Sequence, residues 1–299
     1  MDQSTLSARA RQLGSVLEPL TGQVYFSPEC HANYVSLGFD PSSGHSGGVA
    51  LPDGPAYFTS RGSVMGQVPG EVVAAAFAVF NPEIVVPCVT LGWSRTEAAT
   101  ICAARDDGAI AQLTRILGPN PAGVDRANEL LHRAIAPLRP EGRPLYAGLR
   151  SLSMPDSPIG QLFRRGDMLR EFRGDSHTAS WICAGINATE IGLLSELYWG
   201  LPMRSYSRTR AWTDDQFDTA HEHLRIRGWV DDTSLTDIGR AGREAIEIHT
   251  DGQMRTAVEA LGDDIDELVA TLTPWGAAVR EAKGYLASGP HDLASAAQR

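Results

Sequence analysis

The stretch HLRIRGWVDDTSLTDIGRAGREAIEIHTD, residues 223–251, decides the fold. Gly228 stops a helix, and Trp229-Val230 and Ser234-Leu235 make two short strands about the polar turn between them. Thr236 then caps a second helix, whose spacing turns Ile238, Ala245 and Ile248 inward. Just upstream, Thr213-Asp214-Asp215-Gln216 is a capping box, and the helix it opens carries Phe217, Ala220 and Leu224 at i, i+3 and i+7 on one buried side. Helix, small hairpin and helix in that order form the tail of a winged helix-turn-helix.

Outward from that unit the chain reads as helical. Leu6, Leu13, Val16, Leu17 and Leu20 lie on one stripe, predicting a first helix over Thr5 to Leu20. Gly and Pro then crowd residues 38–70 (GFDPSSGHSGG, LPDGPAY), which predicts a long ordered loop with a short strand at Ala56 to Ser60. Helices resume at Pro69 and run to Phe80, where Asn81-Pro82 ends one and starts the next. Ser94-Arg95-Thr96-Glu97 reads as a capping box opening a helix to about Leu117. Two helices are expected around Arg173-Gly174-Asp175, one from Pro158 to Glu171 and one from near Ser176, and Asn187 with Glu190 caps another. The fold class is therefore mostly α: a helical domain over 1–200 with a long Gly/Pro-rich loop and a ligand pocket, a winged helix-turn-helix with a small β-wing and a C-terminal helix over 201–287, and a flexible tail over 288–299.

Composition bounds the function. With 299 residues, 42% hydrophobic and 21% charged, the chain buries a core without disulfide or metal support. Its four cysteines form no C-x-x-C pair, and the longest apolar stretch, Val72 to Val89, is broken by Asn81, Pro82, Glu83 and Pro87. The N-terminal residues lack an apolar signal core, so a cytoplasmic protein with no membrane partner is expected. No dinucleotide or P-loop glycine motif occurs, and no cofactor is assigned. GHSGG around Ser46 lacks the apolar strand that precedes a nucleophile elbow. The net charge of -10 means that binding nucleic acid requires a local basic face, because phosphate affinity comes largely from Lys and Arg.

The pattern "L..RG.V" before the turn and "LT..G" after it resembles the wing of MarR-type regulators. The blocks YFSPECHANYVSLGF (25–39), the run from Ala56 to Val85, GRPLYAGLRSL (142–152) and MLREFRGDSHTASW (168–181), together with the wing, resemble an actinobacterial group of SalK-type winged-helix proteins. This resemblance spans most of residues 20–260 and implies a winged-helix scaffold, with a place in actinobacterial, secondary metabolism. That group carries a histidine where this chain has Phe172, so a site needing that imidazole is not expected here.

Three sets of residues could carry function. In LREFRGDSH, Asp175 and His177 read as a catalytic carboxylate–imidazole pair near a helix start, with Arg170 and Arg173 as clamps for a carboxylate or phosphate. The structural alternative has Asp175 capping the following helix and Arg173 pairing with it. No metal site is assigned: Asp175 and His177 are two donors, with only Glu29 or His31 to supply a third. In the second set, Glu29, His31 and Tyr34 beside the long loop, with Arg61 beyond it, are candidate ligand-binding residues. The third set, Arg204, Arg208, Arg210, Arg225 and Arg227, would carry DNA binding in a ligand-responsive MarR-like regulator. Asp214, Asp215, Asp218 and Glu222 on the helix before the wing, and Asp231-Asp232 at its tip, oppose that reading by facing phosphate with like charge. The favoured expectation is a small-molecule-binding protein or enzyme on a winged-helix scaffold, paired as a homodimer through terminal helices, with the DNA-binding regulator as the alternative.

Overall fold

The computed structural model describes residues 1–297. Asp2 accepts a hydrogen bond from the Thr5 amide and so starts α1, Gln3–Gly22, whose predicted stripe is buried at Leu6, Leu13, Leu17 and Leu20. Ser27 caps α2, Pro28–Ser36, which packs on a later helix.

Residues 38–70 are not the expected loop. They hold a two-stranded antiparallel hairpin, β1 Gly44–Ser46 and β2 Val49–Leu51, and then α3, Gly54–Gly62. The strand expected at Ala56 to Ser60 is thus helix. The cause is local: Asp53 accepts from the Ala56 amide as an N-cap, and Pro55 sits in the first turn, where its missing N–H costs nothing.

The chain continues through α4, Gly70–Phe77, and α5, Pro82–Arg95, the latter capped by Asn81. α5 runs through the expected Ser94 box, because the Ser94 hydroxyl donates back to the Leu91 carbonyl; α6, Ala98–Leu117, starts without a side-chain cap. α7, Val124–Ile135, and α8, Pro144–Ser151, follow.

α9, Pro158–Cys183, is one unbroken 26-residue helix, not two. A glycine in a helix interior costs only about 1 kcal/mol. Against that stands the burial of α9 among α1, α6, α7 and α8 and, further on, α12. Most of the helix is surrounded, which explains why apolar residues trace no single face along it.

The winged unit is built from α10, Ala188–Tyr198, α11, Asp214–Ile226, and α12, Asp237–Gln253. Both predicted capping boxes form, at Asn187/Glu190 and at Thr213/Gln216. Trp181, Leu193, Phe217, Leu224, Val230 and Ile246 build its own apolar cluster, separate from the larger one around α9. The wing is minimal: one bridge, Val230 to Leu235, with the Asp231 amide donating to Ser234 O and the Thr236 amide to Trp229 O, both 3.0 Å. Thr236 caps α12 as expected, but Ile238 is 66% exposed and Ala245 and Ile248 are only half-buried. The buried face of α12 is Gly239, Arg243, Ile246 and Thr250. Trp229 packs on that side of α12, its backbone against Gly239 and its ring against Gly242, and the buried Arg243 is held by Glu247 (2.7 Å) and the Ser195 hydroxyl (3.2 Å).

α13, Arg255–Leu261, and α14, Ile265–Glu281, return the chain to α1. Where a flexible tail was expected, α15, Pro290–Ala297, lies on α1. The last two residues of that tail lie outside the described residues. The protein is thus mostly α-helical, with a helix-turn-helix and a small β-wing. Among the described residues no helix is long and apolar enough to cross a membrane.

Candidate functional site

The middle of α9 meets the last turn of α3 across a buried ionic cluster. Glu171, 2% exposed, accepts from Arg61 at both oxygens (3.2 and 2.9 Å), from Arg170 (2.9 Å) and from the Tyr25 hydroxyl (3.2 Å). Burial resists its ionisation, but the Arg61 and Arg170 guanidinium groups outweigh that and hold its carboxyl down at about 2. Arg170 also donates to the Tyr25 hydroxyl, and the Arg61 guanidinium stands 4.5 Å from the centre of the Phe77 ring.

Over this cluster opens a cavity of about 830 Å³. Its far wall is aromatic: Tyr57, Phe58, Phe77 and Phe80 pack edge-on or tilted with centroids 5.1 to 6.3 Å apart. Tyr206 and Arg210, from the connection between α10 and α11, close another side. That connection is no short turn. Buried Glu196 gathers it by accepting from the Ser207 amide (2.9 Å) and hydroxyl (3.0 Å) and from the Arg204 amide. It is tied to the corner between α4 and α5 by the Asn81 amide on Arg210 O (3.0 Å) and by Trp212 on Val79 O (2.9 Å).

Of the expected site residues, Arg61, Arg170, Arg173, Asp175 and His177 all line this one cavity. Glu29, His31 and Tyr34 do not: Glu29 is held by Arg115 (2.6 Å), His31 Nε2 lies 3.0 Å from Tyr25 O, and Tyr34 is buried in the core. α2 packs its side chains against α6, away from the aromatic wall. Among the described residues no three His, Cys, Asp or Glu groups are placed to hold a metal ion.

The expected Asp175–His177 pair is not assembled. On a continuous helix, positions two apart point about 200° from each other. Asp175 therefore reaches α8, where it accepts from the Tyr146 amide (3.0 Å) and caps that helix from outside; His177 reaches α12, with Nδ1 3.2 Å from the Thr250 hydroxyl. Nor does Arg173 pair with Asp175; it bridges Glu247 and Asp251 of α12, each at 3.1 Å. Burial lowers His177 to about 4, so its imidazole is neutral at pH 7. Phe172, where the resemblance carries a histidine, is core, edge-on to Tyr146 and under the Arg143 guanidinium.

Asp175, 4% exposed, is raised by burial to about 7, against the favourable Tyr146 amide. Unfolded, this carboxyl titrates near 3.8, so between there and about 7 the folded protein keeps a proton that the unfolded chain has released. Its contribution to stability is full in acid and falls as pH rises through that window. Asp175→Asn, neutral throughout, is expected to gain on the wild type by about 2 kcal/mol between pH 5 and pH 8. Urea unfolding at the two pH values measures this, and a difference that stays constant with pH defeats it.

The five arginines expected to meet DNA do not form a basic stripe. Arg204 pairs with Asp218 (2.5 Å), Arg208 with Asp214 (2.9 Å) and Arg225 with Glu222 (2.7 Å). Arg227 donates to the Gly185 and Ala184 carbonyls, and Arg210 turns into the cavity over Phe80, donating to the Tyr206 hydroxyl (2.6 Å). The exposed face of α11 presents Asp214, Asp215, Asp218 and Glu222.

The aromatic wall was missed in the sequence. Its signal was there: once 54–62 is read as helix, Tyr57 and Arg61 stand four apart on one face. The cavity lining carries four guanidinium groups, Arg61, Arg170, Arg173 and Arg210, against Glu18, Glu171 and the reluctant acid Asp175.

No curated protein and no solved structure matches the chain. A family model described as a helix-turn-helix family matches residues 10–286, taking in the cavity's helices as well as the wing. The chain belongs to this helix-turn-helix family.

Proposed function

We propose that the protein is a small-molecule-binding protein on a winged-helix scaffold, and that its ligand is an apolar, ring-containing molecule bearing one anionic group. The observation that carries this is the 830 Å³ cavity, aromatic on one side and guanidinium-rich on the other. Because Asp175 and His177 face different helices, no acid–base pair is built there, and the reading stops at binding.

A second reading, a ligand-responsive DNA-binding regulator, draws support from the family match and from Tyr206 and Arg210, which link the cavity wall to the start of α11. Against it stand the acidic face of α11 and the ion pairs that Arg204, Arg208 and Arg225 make with Asp218, Asp214 and Glu222 of that face. Phosphate contact would have to break those pairs.

The test is thermal unfolding with 2-naphthoate and with its neutral counterpart 2-naphthylmethanol. The carboxylate is expected to raise Tm by several degrees at about 100 times its Kd, and the alcohol to have a much smaller effect. Equal effects, or none, defeat the proposal. Retardation of a random-sequence duplex at low salt, steeply weakened by added salt, supports the regulator instead.

A further inference from the structure

Beyond Arg173 and His177 lies a second cavity, of about 660 Å³. It shares a wall with the first, made by Arg173, His177, Tyr206, Arg210 and the first turn of α15, Pro290-His291. Its chemistry differs. Arg11, Arg173, Arg210 and Arg243 line it against one carboxylate, Glu247. Glu247 pairs with Arg173 and Arg243; the other counter-charges, Glu244 on Arg11 and Asp251 on Arg11 and Arg173, do not line the chamber, and among the described residues Arg210 has no carboxylate there. The Arg243 side chain is 1% exposed, and its Nε, like that of Arg173, has no hydrogen-bond partner among the described residues. A buried N–H of a charged group left unpaired is costly, and both of these arginines line the second chamber.

The partition between the chambers is lightly held. From His291 to Ser295 no residue of α15 is fully buried, and Leu293 is its one large apolar side chain. It is fixed by Asp292, which accepts from Arg280 and the Gly289 amide (2.7 Å each), and by the His291 ring on α1. The ring lies so close to Gly14 that a Cβ there would stand 2.5 Å from it. His291 faces Glu18, Arg173 and Glu247 as well as its own neighbour Asp292. An element with so little apolar anchorage opens far more readily than the core beneath it.

We propose that the two chambers are the ends of one cleft, that the first turn of α15 is a removable partition between them, and that the ligand is an elongated amphiphile. Its ring or acyl body lies against Tyr57, Phe77 and Phe80, and its carboxylate or phosphate reaches Arg173, Arg210 and Arg243. This rests on the small-molecule reading above and extends it.

Calorimetric titration of the full chain with 2-naphthoate, whose carboxylate sits on the ring, and with 6-(2-naphthyl)hexanoate, which carries it on a pentamethylene chain from the same ring, tests it. The hexanoate is expected to bind at least tenfold tighter than the naphthoate. His291→Ala should tighten the hexanoate severalfold and leave the naphthoate unchanged, and Arg173→Met should weaken the hexanoate at least tenfold and the naphthoate under threefold. Equal affinities for the two acids, or a hexanoate indifferent to His291→Ala, overturn the joined cleft while naphthoate binding keeps the first chamber's reading intact. Failure of both acids to bind overturns both.

Discussion

Glu171→Ala is expected to lower the unfolding free energy by about 3–5 kcal/mol, since it leaves two buried guanidinium groups without their shared anion. Arg61 and Arg170 both depend on this carboxylate, at 2.9 Å each, and both line the cavity. Asp167, bound to Arg105 at 2.5 Å, also stands 3.5 Å from the Arg170 Nε, so the loss falls chiefly on Arg61. The loss should depend on pH in a defined direction. The folded carboxyl sits at about 2 and the unfolded one near 4.5, so its contribution is complete above about 4.5 and disappears as pH falls toward 2. Wild type and variant therefore converge in acid, and urea titrations at pH 7 and pH 3 give the comparison. The variant also makes the site an anion trap: millimolar propionate should restore part of the lost stability, while chloride at the same ionic strength and propionate added to the wild type should not. A loss below about 1 kcal/mol, or no difference between propionate and chloride, removes Glu171 from the centre of the site.

What was legible in the sequence was local. The capping boxes at Asn187 and Thr213 formed because each needs only four consecutive residues, and the buried series Phe217, Ala220, Leu224 followed from the helix that one of them starts. The boundaries that failed were decided at long range or by competing bonds. Gly174 did not break α9, because five helices pack around it; the Ser94 hydroxyl turned back to Leu91 instead of capping forward. For the site, Arg170, Arg173, Asp175 and His177 stand out together in the sequence, since polar residues that dense on one element need partners, whereas Arg61, expected beside Glu29, His31 and Tyr34, joins them only through the packing of α3 on α9. Their roles were not found. Direction around a helix assigns Asp175 to α8 and His177 to α12, and a presumed joint at residues 173–175 hid that direction. The aromatic wall was lost for a related reason, the reading of Asp53-Gly54-Pro55 as turn chemistry when it was the start of α3.

Gly174→Leu separates binding from folding, and it is expected to abolish ligand binding, with a loss of at least 100-fold, while leaving the protein as stable as before or more so. Gly174 lies inside α9 and lines the cavity, yet is exposed to it, and a Cβ there would meet only Glu171 Oε2, at an ordinary 3.6 Å. Its backbone is helical, so a leucine suffers no strain and gains about 0.8 kcal/mol of helix propensity over glycine. The glycine thus weakens the helix where it stands, and no neighbour packs closely enough to require its absence of a side chain. That sets it apart from Gly108, where a Cβ would strike the backbone of Cys30 at 2.6 Å and the glycine is needed for α6 to approach α2. Space is what Gly174 supplies: a leucine there would stand one turn beyond Arg170, on the lining of the cavity, and project into it. Thermal unfolding and naphthoate titration of the same preparation decide the matter. A Tm equal to or above that of the wild type together with lost binding places the ligand over α9. Undiminished binding by a well-folded Gly174→Leu protein moves the ligand elsewhere, and lost binding with a lowered Tm shows that residue 174 serves packing instead.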